Sequence, residues 1–288
     1  MNAMTPILGI IAALTVCVVI GWAGSDNGLL VAGWPVFALC GVLAMAVQWV
    51  VFTHAWVAKT EAFFDLTGSL TYIGMVLLAT WLSGATDIRS LLICGLILVW
   101  ALRLGPFLYF RIQKAGEDRR FRKLKHSFPM FFMTWTLQGT WVYITASCAL
   151  AALTASTKVG VDGFLIAGLA LWLAGFAIEV VADNQKSAFR ADPINEGQFI
   201  RTGLWAWSRH PNYFGEILLW CGIALMAWPV LSGWQLATLI SPLFVVVLLT
   251  RISGVNLLER RADKEWGADQ AYQEYKQNTP VLVLRPPK

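Results

Sequence analysis

The sequence predicts an all-α, polytopic integral membrane protein with seven or eight transmembrane helices, on three observations. Of 288 residues, 57% are hydrophobic and 14% charged, against about 45–50% and about 25% in soluble domains. The mean hydropathy is +0.61. Apolar stretches close to the roughly 20 residues that cross a bilayer recur along the whole chain. This composition excludes a water-soluble enzyme and a disordered chain.

The stretches run from Pro6 to Gly21, Leu29 to Val57, Leu66 to Leu82, Leu91 to Phe110, Phe128 to Leu153, Val161 to Ala182, Phe214 to Trp228 and Trp234 to Leu249. The first has the length of a secretory leader, but no Lys or Arg precedes it, so it reads as a span. The seventh is short and gains length if it begins at Pro211. Trp228-Pro229 and Ser232-Gly233 then turn it into the eighth, which predicts a helical hairpin. Cys17, Cys40, Cys94, Cys148 and Cys221 each stand alone in an apolar run. They read as small buried hydrophobes, with no disulfide framework and no metal site expected.

Charge sets the expected orientation. Residues 111–128, residues 186–212 and the tail from 251 hold 18 of the 22 basic residues. With eight spans these three segments share one face, and the enrichment of Lys and Arg in cytoplasmic loops makes that face cytosolic. The net charge of +5 is thereby accounted for without a nucleic-acid partner. The expected setting is a bacterial inner membrane, with the C-terminus and any cofactor site on the cytoplasmic side and membrane lipids all around.

Carboxylates at membrane depth are costly and point to function. Glu179 and Asp183 lie one helical turn apart at the end of the sixth stretch, and Lys186 and Arg190 continue that stripe. Such a stripe reads either as an ion-pair ladder closing a long helix or as a polar wall of a cytosol-facing cleft that binds hydroxyls and phosphates. The segment Gly203-Leu204-Trp205-Ala206-Trp207-Ser208-Arg209-His210-Pro211-Asn212-Tyr213-Phe214-Gly215-Glu216 is the densest polar cluster. Pro211 suits a first helical turn. Free backbone N–H groups there, beside Arg209 and His210, suit an anion, and Asn212 and Glu216 share the following face.

That segment resembles the C-terminal signature of the steroid 5α-reductases and the related sterol C14 and C7 reductases. The tail Leu258-Glu259-Arg260-Arg261, Trp266-Gly267, Tyr272, Tyr275-Lys276 and Thr279-Pro280 resembles their closing pattern. The resemblance covers roughly residues 58–288. The hydropathy and charge pattern predicts a single membrane domain over 1–288, with N-terminal spans in 1–57 and cytosolic loops 111–128 and 186–212 and the tail 251–288, and the resemblance makes 58–288 its reductase-like region. The resemblance also implies NADPH as cofactor and reduction of a carbon–carbon double bond conjugated to a ketone, on a lipophilic substrate entering from the bilayer. There is no Gly-x-Gly-x-x-Gly unit, so the nucleotide site is expected to be built from helix ends and loops.

The resemblance places the cofactor on Arg103, Arg111, Glu179, Asp183, Arg190, Arg209, His210, Asn212, Tyr213, Glu216, Glu259, Tyr275 and Lys276. It places the substrate carbonyl on Glu61, in Lys59-Thr60-Glu61-Ala62-Phe63-Phe64-Asp65. Two positions depart from the family: Thr60 replaces a glutamine, and Trp100 replaces the tyrosine that helps to polarise the ketone. An indole gives up no useful proton, so the acid must come from elsewhere. If a helix starts near Thr60, Glu61, Asp65 and Tyr72 share a face, and Tyr72 supplies a phenol or Glu61 acts as a neutral acid; His54 is a third candidate. Two other readings compete: a methyltransferase resembling the isoprenylcysteine carboxyl methyltransferases, which share Arg-His-Pro-x-Tyr, and a non-enzymatic lipid-binding or scaffold protein.

Overall fold

The structure is a computed structural model that describes residues 4–118 and 120–287. Of the basic residues counted above, Arg119 and Lys288 lie outside the described residues. The chain divides into two compact units, Met1–Leu165 with Met226–Ser241, and Ile166–Leu225 with Pro242–Lys288.

The first unit begins with α1 (Met4–Gly24) and a short hairpin of β1 (Leu30–Val31) and β2 (Trp34–Pro35). The apolar run from Leu29 to Val57 is therefore not one helix. Ala32 and Gly33 both adopt positive φ, at 49° and 81°, the mirror-image turn that suits a two-residue hairpin loop, and α2 (Val36–Ala58) begins only after it. Lys59 stops α2 in the left-handed conformation. The next helix, α3 (Phe64–Ser83), starts four residues later than the spacing from Thr60 predicts. Glu61 accordingly sits in the α2–α3 turn, where its carbonyl accepts the Phe64 N–H at 2.9 Å. Asp87 caps α4 (Ile88–Ala115) by accepting the Ser90 N–H.

Among the described residues, seven helical segments are long and apolar enough to cross a membrane: α1, α2, α3, α4, α6 (Gly163–Ala191), Pro211–Val230 and Gly233–Trp266. The protein is an integral membrane protein. The fifth apolar stretch forms α5 (Phe128–Thr154), equally long but richer in polar residues. Its burial explains that richness, because every residue from Val142 to Thr154 is buried and meets protein rather than lipid. Its polar groups join helices instead. Gln138 Nε2 donates to the Phe64 carbonyl at 3.0 Å, the Tyr143 hydroxyl to the Phe37 carbonyl at 3.1 Å, and Ser147 Oγ to the Thr238 carbonyl at 3.0 Å.

The second unit is built on most of α6 and of α7 (Pro211–Ala227), with α8 (Ile240–Val247), a π-helical turn at Leu248–Ile252, α9 (Val255–Trp266) and α10 (Gln270–Asn278). Helices α6 and α7 touch backbone to backbone at glycines. A methyl group added at Gly215 would lie 2.5 Å from the Gly175 carbonyl oxygen and 2.7 Å from the Glu179 nitrogen. One added at Gly222 would lie 2.6 Å from the Gly168 oxygen. Small residues spaced this way let two membrane helices approach closely, and here they bring the α6 carboxylates beside the start of α7.

Candidate functional site

In the second unit the stripe and the dense segment meet. Glu179 and Asp183 are 2% and 6% exposed. Asn212, in the first turn of α7, donates its amide to Asp183 Oδ1 at 3.2 Å, and Glu216 follows one turn on, half-buried. Before α7 the chain is strapped down locally. Trp205 donates its indole N–H to the Ala182 carbonyl at 3.0 Å, the Leu204 N–H is accepted by Gln185 Oε1 at 2.9 Å, and the Lys186 ammonium stands 4.1 Å from the Trp205 ring centroid.

Arg209 and His210 converge on Glu259 of α9. Arg209 Nη1 is 3.0 Å from Glu259 Oε2, and His210 Nε2 is 2.9 Å from Oε1. Lys276 Nζ lies 3.8 Å from the same carboxylate and pairs closely with Asp263. Tyr213 stacks on the His210 ring, with centroids 5.6 Å apart. The Tyr275 hydroxyl donates to the Trp205 carbonyl at 2.7 Å, and burial raises its pKa above the usual phenol value. Burial also lowers the His210 pKa below its ordinary 6.5, with the Glu259 hydrogen bond opposing the shift. Two buried nitrogens in this cluster lack a hydrogen-bond partner: Arg209 Nε, a donor, and His210 Nδ1, the ring nitrogen left to accept when Nε2 donates to Glu259. Arg190 is exposed and lines a cavity of about 520 Å³ with Asn195, Gln198, Glu265 and Trp266.

A second cluster belongs to the first unit. Glu61 is 4% exposed, and both its oxygens accept: Oε1 from the Asp118 N–H at 3.0 Å, Oε2 from Lys125 Nζ at 2.9 Å. Asp65, on the first turn of α3, faces Arg120 at 3.8 Å and Arg111 at 4.0 Å. Arg120 also bonds Asp118, its Nε at 2.8 Å from Oδ2. Burial alone would raise the Asp118 pKa; the Arg120 hydrogen bonds and charge outweigh it and leave it lowered. Arg103 stands over the Phe107 ring at 4.9 Å. Tyr72 packs edge-on against Trp100, with ring centroids 5.1 Å apart, so a phenol lies beside the position where the indole replaces the family tyrosine. His54 is exposed and lies against Phe63.

Asp118, Arg120 and Lys125 escaped the sequence reading as site residues. They lie within a basic segment that reads as an orientation signal, and Glu61 and Asp65, the carboxylates they meet from the α2–α3 region, stand more than fifty residues earlier.

A family described as protein of unknown function, DUF1295, matches residues 49–279. The chain belongs to the DUF1295 family. Among curated relatives, 3-oxo-5-alpha-steroid 4-dehydrogenase 1 of Bos taurus is 36% identical over 76 residues, 26% of this chain and 29% of the relative. An uncharacterised protein of Schizosaccharomyces pombe is 26% identical over 165 residues, 48% of each chain. A probable O-methyltransferase of Ustilaginoidea virens is 25% identical over 96 residues, 33% of this chain and 34% of the relative. The chain thus spans about a quarter to a half of the length of these relatives. The resemblance to steroid 5α-reductases read from the Gly203–Glu216 segment and the tail agrees with these similarities.

Proposed function

We propose that this DUF1295 member is a membrane-embedded oxidoreductase. It reduces the carbon–carbon double bond of a lipophilic, 3-oxo-4-ene steroid-like enone with NADPH, and its cofactor face and C-terminus are cytoplasmic, in a bacterial inner membrane. The observation that carries the proposal is the set at the mouth of α7. The buried Asp183 accepts there from the half-buried Asn212, beside a donor nitrogen of Arg209, Nε, that is buried without a partner.

This donor set fits a phosphorylated dinucleotide. Asp183 and Glu179 offer acceptors for ribose hydroxyls, and Arg209, Lys186 and Lys276 offer cations for phosphate, as charge-assisted bonds favour. Asn212 and Glu216 suit a carboxamide, and His210, Tyr213, Glu259 and Tyr275 brace these groups through their mutual contacts. Arg103, Arg111 and Arg190 are assigned to the cofactor on the family resemblance. When bound, the reduced nicotinamide supplies a hydride. The carbonyl end of the substrate falls to the cluster around Glu61, with Tyr72. Donors fixed there in advance, in a dry setting, stabilise the charge that builds on the carbonyl oxygen. The similarity to 3-oxo-5-alpha-steroid 4-dehydrogenase 1 supports this reaction class.

A second reading, a membrane methyltransferase using S-adenosylmethionine, draws on the similarity to a probable O-methyltransferase. The two separate in one experiment, because a ligand that binds the native state raises the melting temperature. The detergent-purified protein is expected to be stabilised by NADPH and to consume it on addition of a 3-oxo-4-ene steroid. Stabilisation by S-adenosylmethionine alone would overturn the reductase in favour of the methyltransferase.

A further inference from the structure

We propose that Lys125, held in place by Glu61, is the residue that contacts the substrate carbonyl oxygen, and that Glu61 is its positioning residue. The inference rests on the reductase reading and deepens it by naming the atom that meets the substrate.

A carbonyl oxygen that gains negative charge needs a donor. Glu61 offers none, because each of its oxygens is engaged as an acceptor, Oε1 by the Asp118 N–H and Oε2 by the Lys125 ammonium. An ammonium carries three donor hydrogens. One is directed to Glu61, which leaves two for a second acceptor. The neighbouring carboxylates do not compete for it: Asp65 faces Arg111 and Arg120, and Asp118 faces Arg120. Lys125 is thus a cation whose carboxylate partner among the described residues is Glu61.

The surroundings suit a fixed donor. The side chains of Lys125 and Glu61 are 17% and 4% exposed, so the pair is largely shielded from water, where charged hydrogen bonds are strong. Lys125 stands in a short 3-10 turn, Leu124–His126, and its N–H donates to the Phe121 carbonyl at 3.0 Å. Phe121 is 3% exposed, with its ring 4.7 Å from Phe64 and 6.2 Å from Phe131. A buried aromatic therefore anchors the loop that delivers the ammonium. The chain has Trp100 where the resemblance expects a phenol, and an ammonium supplies the missing polarising group with a full positive charge.

The reaction balances without a proton leaving Lys125. A hydride, with two electrons, bonds to the β-carbon, and the reduced nicotinamide dinucleotide is oxidised. The double-bond pair shifts to give an enolate, and a solvent proton bonds to the α-carbon. Lys125 donates a hydrogen bond to the oxygen throughout, and Glu61 holds the ammonium toward it.

The test uses the full chain in detergent and a conjugated 3-oxo-triene steroid whose absorption lies outside that of the protein. Binding is expected to move its band to longer wavelength without any cofactor present, as a cation at the carbonyl polarises the chromophore. Lys125→Met should abolish the shift. It should also slow NADPH-dependent enone reduction on the order of 100-fold in kcat, with stabilisation by NADPH unchanged. Lys125→Arg should keep the shift. Glu61→Gln should keep part of it, because the amide oxygen still accepts from the ammonium. A parental shift and rate in Lys125→Met would overturn the proposal, as would loss of the shift in Tyr72→Phe with Lys125→Met unaffected. If Lys125→Met fails to fold, the other two variants decide: a shift lost in Glu61→Gln but kept in Lys125→Arg makes Glu61 the contact and refutes the assignment. A parent that NADPH stabilises but that shows no shift refutes this proposal alone. A parent that binds neither NADPH nor the enone ends both readings.

Discussion

Replacing Gly215 with alanine tests whether the glycine contact between α6 and α7 sets up the cofactor site. The added methyl would sit 2.5 Å from the Gly175 carbonyl oxygen, 2.7 Å from the Glu179 nitrogen and 3.1 Å from its Cα. These are backbone atoms, so no side-chain rotation relieves them. A carbon tolerates a carbonyl oxygen at about 3.3 Å, so the helices must part by roughly 0.8 Å. If α7 shifts as a rod, the Asp183–Asn212 hydrogen bond of 3.2 Å lengthens beyond useful range. Overpacking of this kind costs about 1–3 kcal/mol, and each kcal/mol lowers the melting temperature by about 2–4 °C in a chain of this order of size. Gly95→Ala is the control, because a methyl there meets nothing within 4 Å and alanine favours helix by about 1 kcal/mol. In detergent, Gly215→Ala should melt lower than the parent and lose most of its stabilisation by NADPH, while Gly95→Ala should do neither. Parental melting with full NADPH stabilisation in Gly215→Ala would refute the close crossing and its role in holding Asp183 against Asn212.

Two further outcomes are expected. The folded His210 has a pKa below its ordinary 6.5 because it is buried, so the unfolded chain takes up its proton first as pH falls. Its contribution to stability is complete above pH 6.5 and is lost as pH drops through the lowered folded value; the parent's melting temperature should fall between pH 7 and pH 5 more steeply than that of His210→Gln, and equal slopes would refute this. Arg89 is 1% exposed and donates to the carbonyls of Val159, Gly160 and Met226. Arg89→Met should therefore cost on the order of 3 kcal/mol by leaving carbonyls without a donor, read as a melting temperature well below the parent's with unchanged NADPH-induced stabilisation. An unshifted melting temperature would count against that role.

Much of the cluster in the second unit was legible in the sequence because its geometry is local. Glu179 and Asp183 are one helical turn apart, Asn212 and Glu216 likewise, and Pro211 marks the helix start between a basic pair and an amide. Helical periodicity alone puts such residues on shared faces. Glu259 and Lys276 were reached through the family resemblance, since nothing in their spacing points to Arg209 and His210. Arg190 continues the stripe in register in the last turn of α6, where it lines a cavity with Glu265 and Trp266 that periodicity alone does not foretell. The cluster around Glu61 was only half legible. The acid was recognised, but its ammonium partner stands 64 residues away across two helices.

By itself the sequence determined the class of the molecule, because lipid imposes composition and length on every helix it touches. It also marked where polar residues interrupt that pattern. The tertiary structure decided what those residues bond to. It showed that the turn at Ala32-Gly33 splits one apolar run, that α5 can carry polar residues because protein surrounds it, and that Glu61 enters the fold as an acceptor for Lys125. Hydrophobic pattern is set residue by residue against the solvent, whereas the pairing of charges depends on how distant segments close over one another.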